Sequence, residues 1–295
     1  MSTVPARKKY KALDHFEILG ELGQGAASKI LHIRDPESYQ HYAMKVVIRR
    51  TADEGKFLEQ AKHEFEVAQK LDHPSLIKVY DIRVLKKWFR EREVRTLLEY
   101  VNGESLEQMT NPDVGLLVVV FAEVAGAVSF MHRCGVYHAD LKPNNIMVSR
   151  SGQIKVIDFG LAWFRGDRKG RIQGTPGYLA PEQLRDRLVT EATDIFNLGA
   201  TMYRLLTGRL ASGGITAAGS SFMGGKVVIT PVLEIKPNVP KELSDLVSRC
   251  CDNKPQKRPA NMAEVSALLT KLAEQMQLTM EDLPRLLRQL GRSDE

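Results

Sequence analysis

The chain has 295 residues, room for one two-lobed enzyme or two modest domains. Hydrophobic residues make up 43% and charged residues 26%, the balance of a soluble globular protein rather than a disordered one. The net charge of +6 reads as a solvated basic surface, with acidic partners or nucleotide phosphates as the alternative, and no nucleic-acid motif accompanies it.

Residues 1–14 read as a polar, mobile lead. Arg7, Lys8, Lys9 and Lys11 have no apolar stretch behind them, so the pattern of a signal peptide is missing. Ser2 stands where myristoylation needs glycine. From Phe16 to Leu31 the pattern is strand, glycine turn, strand. The turn is Gly23-Gln24-Gly25-Ala26-Ala27-Ser28, and glycines there let backbone N–H groups approach phosphates closely. Taken alone, a plain hairpin turn explains it as well. A third strand spans Tyr42–Ile48 and carries Lys45.

Residues 53–71 have helical spacing, with Phe57, Ala61, Ala68 and Leu71 on the inward face. Glu64 shares that face, so it needs a cationic partner. His73-Pro74 ends the helix. Two strands follow at Leu76–Leu85 and Val94–Tyr100, joined by a long charged tip, Lys86–Arg92, that carries Trp88 and Phe89. Asn102-Gly103 is a connector. Beyond Asp113 the chain is mainly helical, with short strands near 146–148 and 154–157. The longest apolar run, Val114–Phe121, falls short of the roughly 20 residues of a membrane span. Cys134, Cys250 and Cys251 cannot pair fully and lack metal-ligand spacing, which suits reduced thiols in the cytoplasm. Cys250-Cys251 suits a helix with one thiol inward. Residues 211–225 are rich in Gly, Ser and Ala and read as a flexible loop. The last segment, 276–295, has Leu283, Leu286, Leu287 and Leu290 on one helical stripe. These elements predict an α+β protein of two lobes with a ligand cleft between them. Its parts are the lead 1–14, a β-rich lobe 15–101 with one key helix, a larger helical lobe 102–275, and the final helix 276–295.

The chemistry concentrates in His138-Ala139-Asp140-Leu141-Lys142-Pro143-Asn144-Asn145 and Asp158-Phe159-Gly160. Asn145 and Asp158 offer the oxygen ligands that a hard cation such as Mg²⁺ prefers. Asp140 remains to orient a hydroxyl, and Lys142 stands by to steady transferring charge. That set suits phosphoryl transfer, where positioning and charge neutralisation do most of the catalysis. Any one of these residues alone would be read as a turn or a cap.

From the glycine loop through Lys45, this set, and Gly174-Thr175-Pro176-Gly177-Tyr178-Leu179-Ala180-Pro181-Glu182, the chain resembles the protein kinases over residues 16–273. Within the family it resembles the bacterial serine/threonine kinases of the eukaryotic type. The resemblance implies a bilobal kinase fold, ATP with Mg²⁺ (Mn²⁺ in its place), and a protein substrate bearing Ser or Thr. It implies that Gly23, Gly25 and Ser28 cover the phosphates and that Lys45, paired with Glu64, reaches them. It places adenine among Ile30, Ala43, Leu98, Glu99, Val101 and Met147. It gives Asp140 the substrate hydroxyl, Lys142 the γ-phosphate, and Asn145 and Asp158 the metals. Thr175 would bond to Asp140 and Lys142, Glu182 to Arg258, and Asp194 would anchor the catalytic loop. His138 and Phe159 would be internal packing residues.

Departures from the family pattern bear on regulation. Ser28 replaces the third glycine of the loop. Ala139 replaces the arginine that grips a phosphate on the activation loop, and residues 159–174 contain no Ser, Thr or Tyr. Together these predict a kinase not switched by loop phosphorylation. Arg165, Arg168, Lys169 and Arg171 make that loop basic, read as a solvated charge run. A pseudokinase scaffold and a small-molecule kinase are the competing readings. The first is disfavoured by the complete set of Lys45, Glu64, Asp140, Asn145 and Asp158, although Ser28, Ala139 and the small Ala68 favour it. The second is disfavoured by 174–182. Oligomeric state is not legible.

Overall fold

The computed structural model describes residues 15–25, 27–51, 53–167, 173–211 and 227–290. The basic lead, Arg168, Lys169, Arg171, nearly all of the Gly/Ser/Ala-rich loop and the last five residues lie outside the described residues. Two units emerge, one from residues up to 72 with 77–100, the other from 73–76 and 101 onward.

In the first unit, strands β1 (Glu17–Gln24), β2 (Ser28–Arg34), β3 (His41–Ile48), β4 (Val79–Lys87) and β5 (Arg90–Glu99) form one antiparallel sheet in the order β1-β2-β3-β5-β4. The two-residue period of β3 sorts its side chains. Tyr42 and Met44 join Phe16, Ile33 and Leu97 in one apolar cluster. Val47, on the opposite face, meets Val94 and the Leu58 and Ala61 side chains of helix α1 (Gly55–Ala68). Lys45 shares the Val47 face by the same alternation, so it is delivered to the helix side. Helix α1 buries Leu58, Ala61, Glu64, Val67 and Ala68, while Phe57 and Leu71 stay half-buried. The inward stripe is therefore rotated by about one residue from the one expected.

The tip between β4 and β5 is shorter than its charged sequence suggested. Pairing continues to Lys87 opposite Arg90, leaving a two-residue turn of Trp88 and Phe89. The charged residues on either side are strand, because a ladder tolerates exposed Lys and Arg at its end.

The second unit contains β6 (Gly103–Ser105), α2 (Val114–Arg133), β7 (Val136–Tyr137), β8 (Ile146–Ser149), β9 (Ile154–Val156), β10 (Trp163–Phe164), α3 (Pro181–Arg185), α4 (Glu191–Thr207), α5 (Val232–Ile235), α6 (Lys241–Cys250), α7 (Met262–Gln275) and α8 (Leu283–Leu290). The expected connector at Gly103 is strand β6, paired to β8. An added Cβ at Gly103 would lie 2.1 Å from the Val148 carbonyl, so this pairing needs glycine. Helix α2 starts where Asp113 accepts from the N–H groups of Gly115 (2.7 Å) and Leu116 (3.3 Å).

Apolar character continues through α2 well past Phe121. Its best 18-residue window has a mean hydropathy of 2.3, and by length and composition it could cross a membrane. Here 72% of that window is buried, against α4, α7, α8, β7 and β9. Glu123, which interrupts the apolar run in the sequence, accepts a hydrogen bond from Ser75.

Both cysteines at the end of α6 are buried, not one. Gly199 of α4 admits them, since a Cβ there would lie 2.5 Å from Cys250 Cβ and 3.1 Å from Cys251 Sγ. Burial pushes the Cys250 thiol up to about 12. The final segment breaks after α7 and resumes as α8. Leu283 and Leu286 are buried and Leu287 and Leu290 half-buried against the chain's own second unit, where α8 packs on α2.

Candidate active site

The loop 138–145 is held from below by one polar face of an otherwise apolar helix. On α4, Asp194, Asn197 and Thr201 recur at helical spacing and all are buried. Asp194 accepts from the N–H groups of His138 (2.8 Å) and Ala139 (2.7 Å) and bonds to His132 Nε2 (2.7 Å). Thr201 Oγ1 donates to the Leu141 carbonyl at 3.3 Å, and Asn197 Nδ2 to the Tyr178 carbonyl at 2.6 Å. Gln183 Nε2 donates to the Ala139 carbonyl at 3.0 Å. Ala139 has φ +64°, a left-handed conformation costly for a residue with a Cβ, and these bonds hold it there. His132 Nδ1 also lies 3.0 Å from Glu191 Oε1, an ionic contact. Burial works against a charged ring at His132, but the bond to Asp194 and the contact with Glu191 outweigh it and raise its pKa to about 9.

On that support the second unit brings four of the expected site residues together, Asp140, Lys142, Thr175 and Asn145. Lys142 Nζ donates to Asp140 Oδ2 (2.8 Å) and to Thr175 Oγ1 (2.7 Å). Thr175 thus reaches Asp140 through Lys142. Asp140 is buried, and its Oδ1 has no hydrogen-bond partner. Asn145 Nδ2 donates to the Asp140 carbonyl at 2.9 Å, which directs its amide oxygen away from that contact. The Ile157 N–H donates to the Asn145 carbonyl at 2.9 Å, tying the residue before Asp158 to Asn145. Asp158 itself is half-buried with φ +65°. His138 and Phe159 are fully buried edge to face, with ring centroids 5.9 Å apart.

In the first unit, Lys45 Nζ lies 2.7 Å from Glu64 Oε2, and Glu64 is almost fully buried. Gly23 pairs with Ile30 across β1 and β2. Gly25 donates its N–H to the Ser28 carbonyl at 2.8 Å. The Ser28 hydroxyl leans over Gly25, where an added Cβ would meet it at 2.7 Å. The substituted serine is accommodated because Gly25 has no side chain. Ala43 and Leu98 are register partners and both buried. Glu99 donates its N–H to the Lys78 carbonyl at 2.9 Å. In the second unit, Met147 is half-buried in β8 and the Val101 carbonyl accepts from Gly103 at 3.0 Å.

The segment between Asp158 and Glu182 is anchored at both ends. Strand β10 pairs with β7, just before the catalytic loop. Arg165, expected as a solvated charge, donates to the Tyr137 hydroxyl (3.3 Å) and the His132 carbonyl (2.9 Å) while staying exposed. Gly174 has φ +132°, and a Cβ there would lie 2.4 Å from Leu179 Cδ2. At the far end Arg258 makes a bidentate pair with Glu182 at 2.7 and 2.9 Å, fully buried.

Asn197, Thr201, Gln183 and His132 escaped the sequence reading. A signal existed for the first two. Polar residues three and seven positions after Asp194 on an apolar helix mark an inward polar stripe. Gln183 and His132 carry no such spacing.

The protein kinase domain family matches residues 16–270. The chain is similar to the serine/threonine-protein kinase PknB of Mycolicibacterium smegmatis, 28% identical over 277 residues, which cover 88% of this chain and 43% of the relative. It is 25% identical over 261 residues to the serine/threonine-protein kinase PrkC of Bacillus subtilis, covering 85% of this chain and 39% of the relative. It is 32% identical over 206 residues to the serine/threonine-protein kinase AtPK1/AtPK6 of Arabidopsis thaliana, covering 67% and 43%. The chain thus spans about two fifths of the length of these curated relatives. A five-stranded unit with one ion-paired helix, a helical unit carrying the loop 138–145, and a family match across residues 16–270 give one conclusion: the chain belongs to the protein kinase domain family and has its bilobal fold.

Proposed function

We propose that this chain transfers the γ-phosphoryl group of ATP to serine and threonine hydroxyls of proteins. The observation that carries the proposal is the buried, unpartnered Asp140 Oδ1 beside a lysine shared with Thr175. A carboxylate with one oxygen tethered and the other free suits a hydroxyl donor. In this reading Asp140 accepts the hydrogen bond, and then the proton, of the substrate hydroxyl. Lys142 neutralises charge on the transferring group and also fixes Asp140 against Thr175. Lys45, aimed by Glu64, binds the α- and β-phosphates. Gly23, Gly25 and Ser28 cover the phosphates with backbone N–H groups. From the first unit Ile30, Ala43 and Leu98 offer apolar contacts to adenine and Glu99 its backbone; from the second, Met147 offers an apolar contact and Val101 its backbone.

Asn145 and Asp158 are the residues that would hold Mg²⁺, or Mn²⁺. Their oxygen donors fit, because Mg²⁺ takes one or two protein ligands and completes its shell with phosphate oxygens and water. When bound, the ion neutralises charge on the phosphates.

Activity is set without activation-loop phosphorylation. The described residues on either side of it are held instead by the β7–β10 pairing, Arg165 and the Glu182–Arg258 pair. Three free thiols, two of them deeply buried, suit the cytoplasm, where ATP is available. The deciding experiment incubates pure protein with labelled ATP, Mg²⁺ and a generic basic protein, beside an Asp158→Ala control. Label on Ser and Thr that disappears in the control is the expected result. Undiminished transfer by the control would overturn the assignment, and no transfer by either would leave a nucleotide-binding scaffold.

A further inference from the structure

The β4–β5 hairpin ends in a turn whose side chains oppose its backbone. Trp88 and Phe89 have φ +52° and +62°. Two-residue hairpin turns with both φ values positive favour Asn-Gly, and bulky residues there are outliers. These two are also 85% and 100% exposed. A turn chosen for stability alone would not place the two aromatics there.

Their surroundings are basic. Lys86, Lys87, Arg90 and Arg92 flank them and are exposed. The single acid in the stretch, Glu91, is engaged by Lys62 at 2.9 Å, and the next, Glu93, by Arg95. Lys87 and Arg90, register partners, stand directly beside the two rings, while farther back along the ribbon Lys86 acts on Glu91 and Arg92 on Glu54.

We propose that this tip docks the protein on an anionic lipid bilayer, with Trp88 and Phe89 entering the headgroup boundary and Lys87 and Arg90 meeting lipid phosphates. Trp is the ring that settles where one end is apolar and the other wet, and basic residues beside it gain from a negative membrane surface. An acidic protein partner fits less well. Two aromatic side chains bury about 150–250 Å² each, well short of the ~800 Å² per partner of a stable protein interface. A bilayer needs no matching surface. The inference concerns the first unit alone and does not depend on the catalytic reading.

The test sediments the full chain with vesicles of phosphatidylcholine containing phosphatidylglycerol, and with phosphatidylcholine alone, while following tryptophan emission. Binding should occur only with the anionic vesicles and weaken as salt rises. Emission should shift to the blue, and Trp88→Phe should keep binding but lose the shift. The double variant Trp88→Asn with Phe89→Gly suits the turn better than the native pair, so it keeps the fold, and its binding should fall at least tenfold. Neutralising Lys87 or Arg90 should cost about fivefold each. No binding to anionic vesicles, equal binding to neutral ones, undiminished binding by the Asn-Gly variant, or capture by a soluble polyanion without vesicle binding would each overturn the proposal.

Discussion

Replacing Asp194 by asparagine should destabilise the protein and disable it in one step. The native carboxylate faces donors on both oxygens: Ala139 N–H on Oδ1, and His138 N–H with His132 on Oδ2. Asparagine offers one acceptor and one NH₂ group. Its better orientation keeps oxygen toward His138 and His132 and turns NH₂ toward the Ala139 N–H, donor against donor at a site with no exposure. A buried N–H without its partner costs about 1–3 kcal/mol. The His132 imidazolium loses its main counter-charge as well. The sum is about 3–5 kcal/mol, the usual cost of breaking a buried charged network. Urea unfolding followed by circular dichroism measures it, and phosphoryl transfer should fall in parallel because Ala139 leaves φ +64° and carries Asp140 with it. Adding Ala139→Gly removes the left-handed strain and should recover about 0.5–1 kcal/mol. An Asp194→Asn protein within ~1 kcal/mol of wild type and fully active would refute the account.

Three further outcomes follow from other contacts. Arg258→Ala should cost about 3–5 kcal/mol in thermal unfolding, because Glu182 is left buried and charged; a loss under ~1 kcal/mol would show that the pair adds little. His132, with a folded pKa of about 9 against an ordinary 6.5, binds its proton more tightly when folded, so its contribution is complete below pH ~6.5 and is lost as pH rises through ~9. The unfolding free energy from urea titrations should decline across that window by at most about 3 kcal/mol, and His132→Gln should flatten the decline. Protein prepared free of phosphate should modify a substrate without a lag, and a lag that ends as phosphate accumulates within residues 159–178 would restore the loop switch.

Much of the fold was legible because its signals are local. The strand over Tyr42–Ile48 carried Lys45, and Glu64 on the inward face of the next helix announced the need for a cationic partner, which the structure supplies at 2.7 Å. The catalytic loop was readable from the order of its residues. What escaped depends on neighbours distant in sequence. The rotation of α1 that buries Leu58 and Val67 is decided by the sheet beneath it, not by its own spacing. Strands β7 and β10 are two residues each, too short for any period to show. Gln183 reads as an ordinary polar residue until the Ala139 carbonyl is seen 3.0 Å away. Arg165 looked like one charge in a solvated run because its partner, the His132 carbonyl, leaves no trace in side-chain composition.

The apolar length of α2 has a consequence during synthesis. Its cover comes late: α4 and α7 follow it, and α7 ends only at Gln275. At roughly 5–20 residues per second, a translating ribosome would leave α2 without its final neighbours for on the order of ten seconds. Throughout that interval a segment as greasy as a membrane span is available to chaperones, to insertion machinery or to another nascent chain. Shortened forms ending before α7 should therefore aggregate or be drawn to membranes rather than persist as stable fragments, and the yield of the complete domain should respond to chaperone supply more than its final stability suggests.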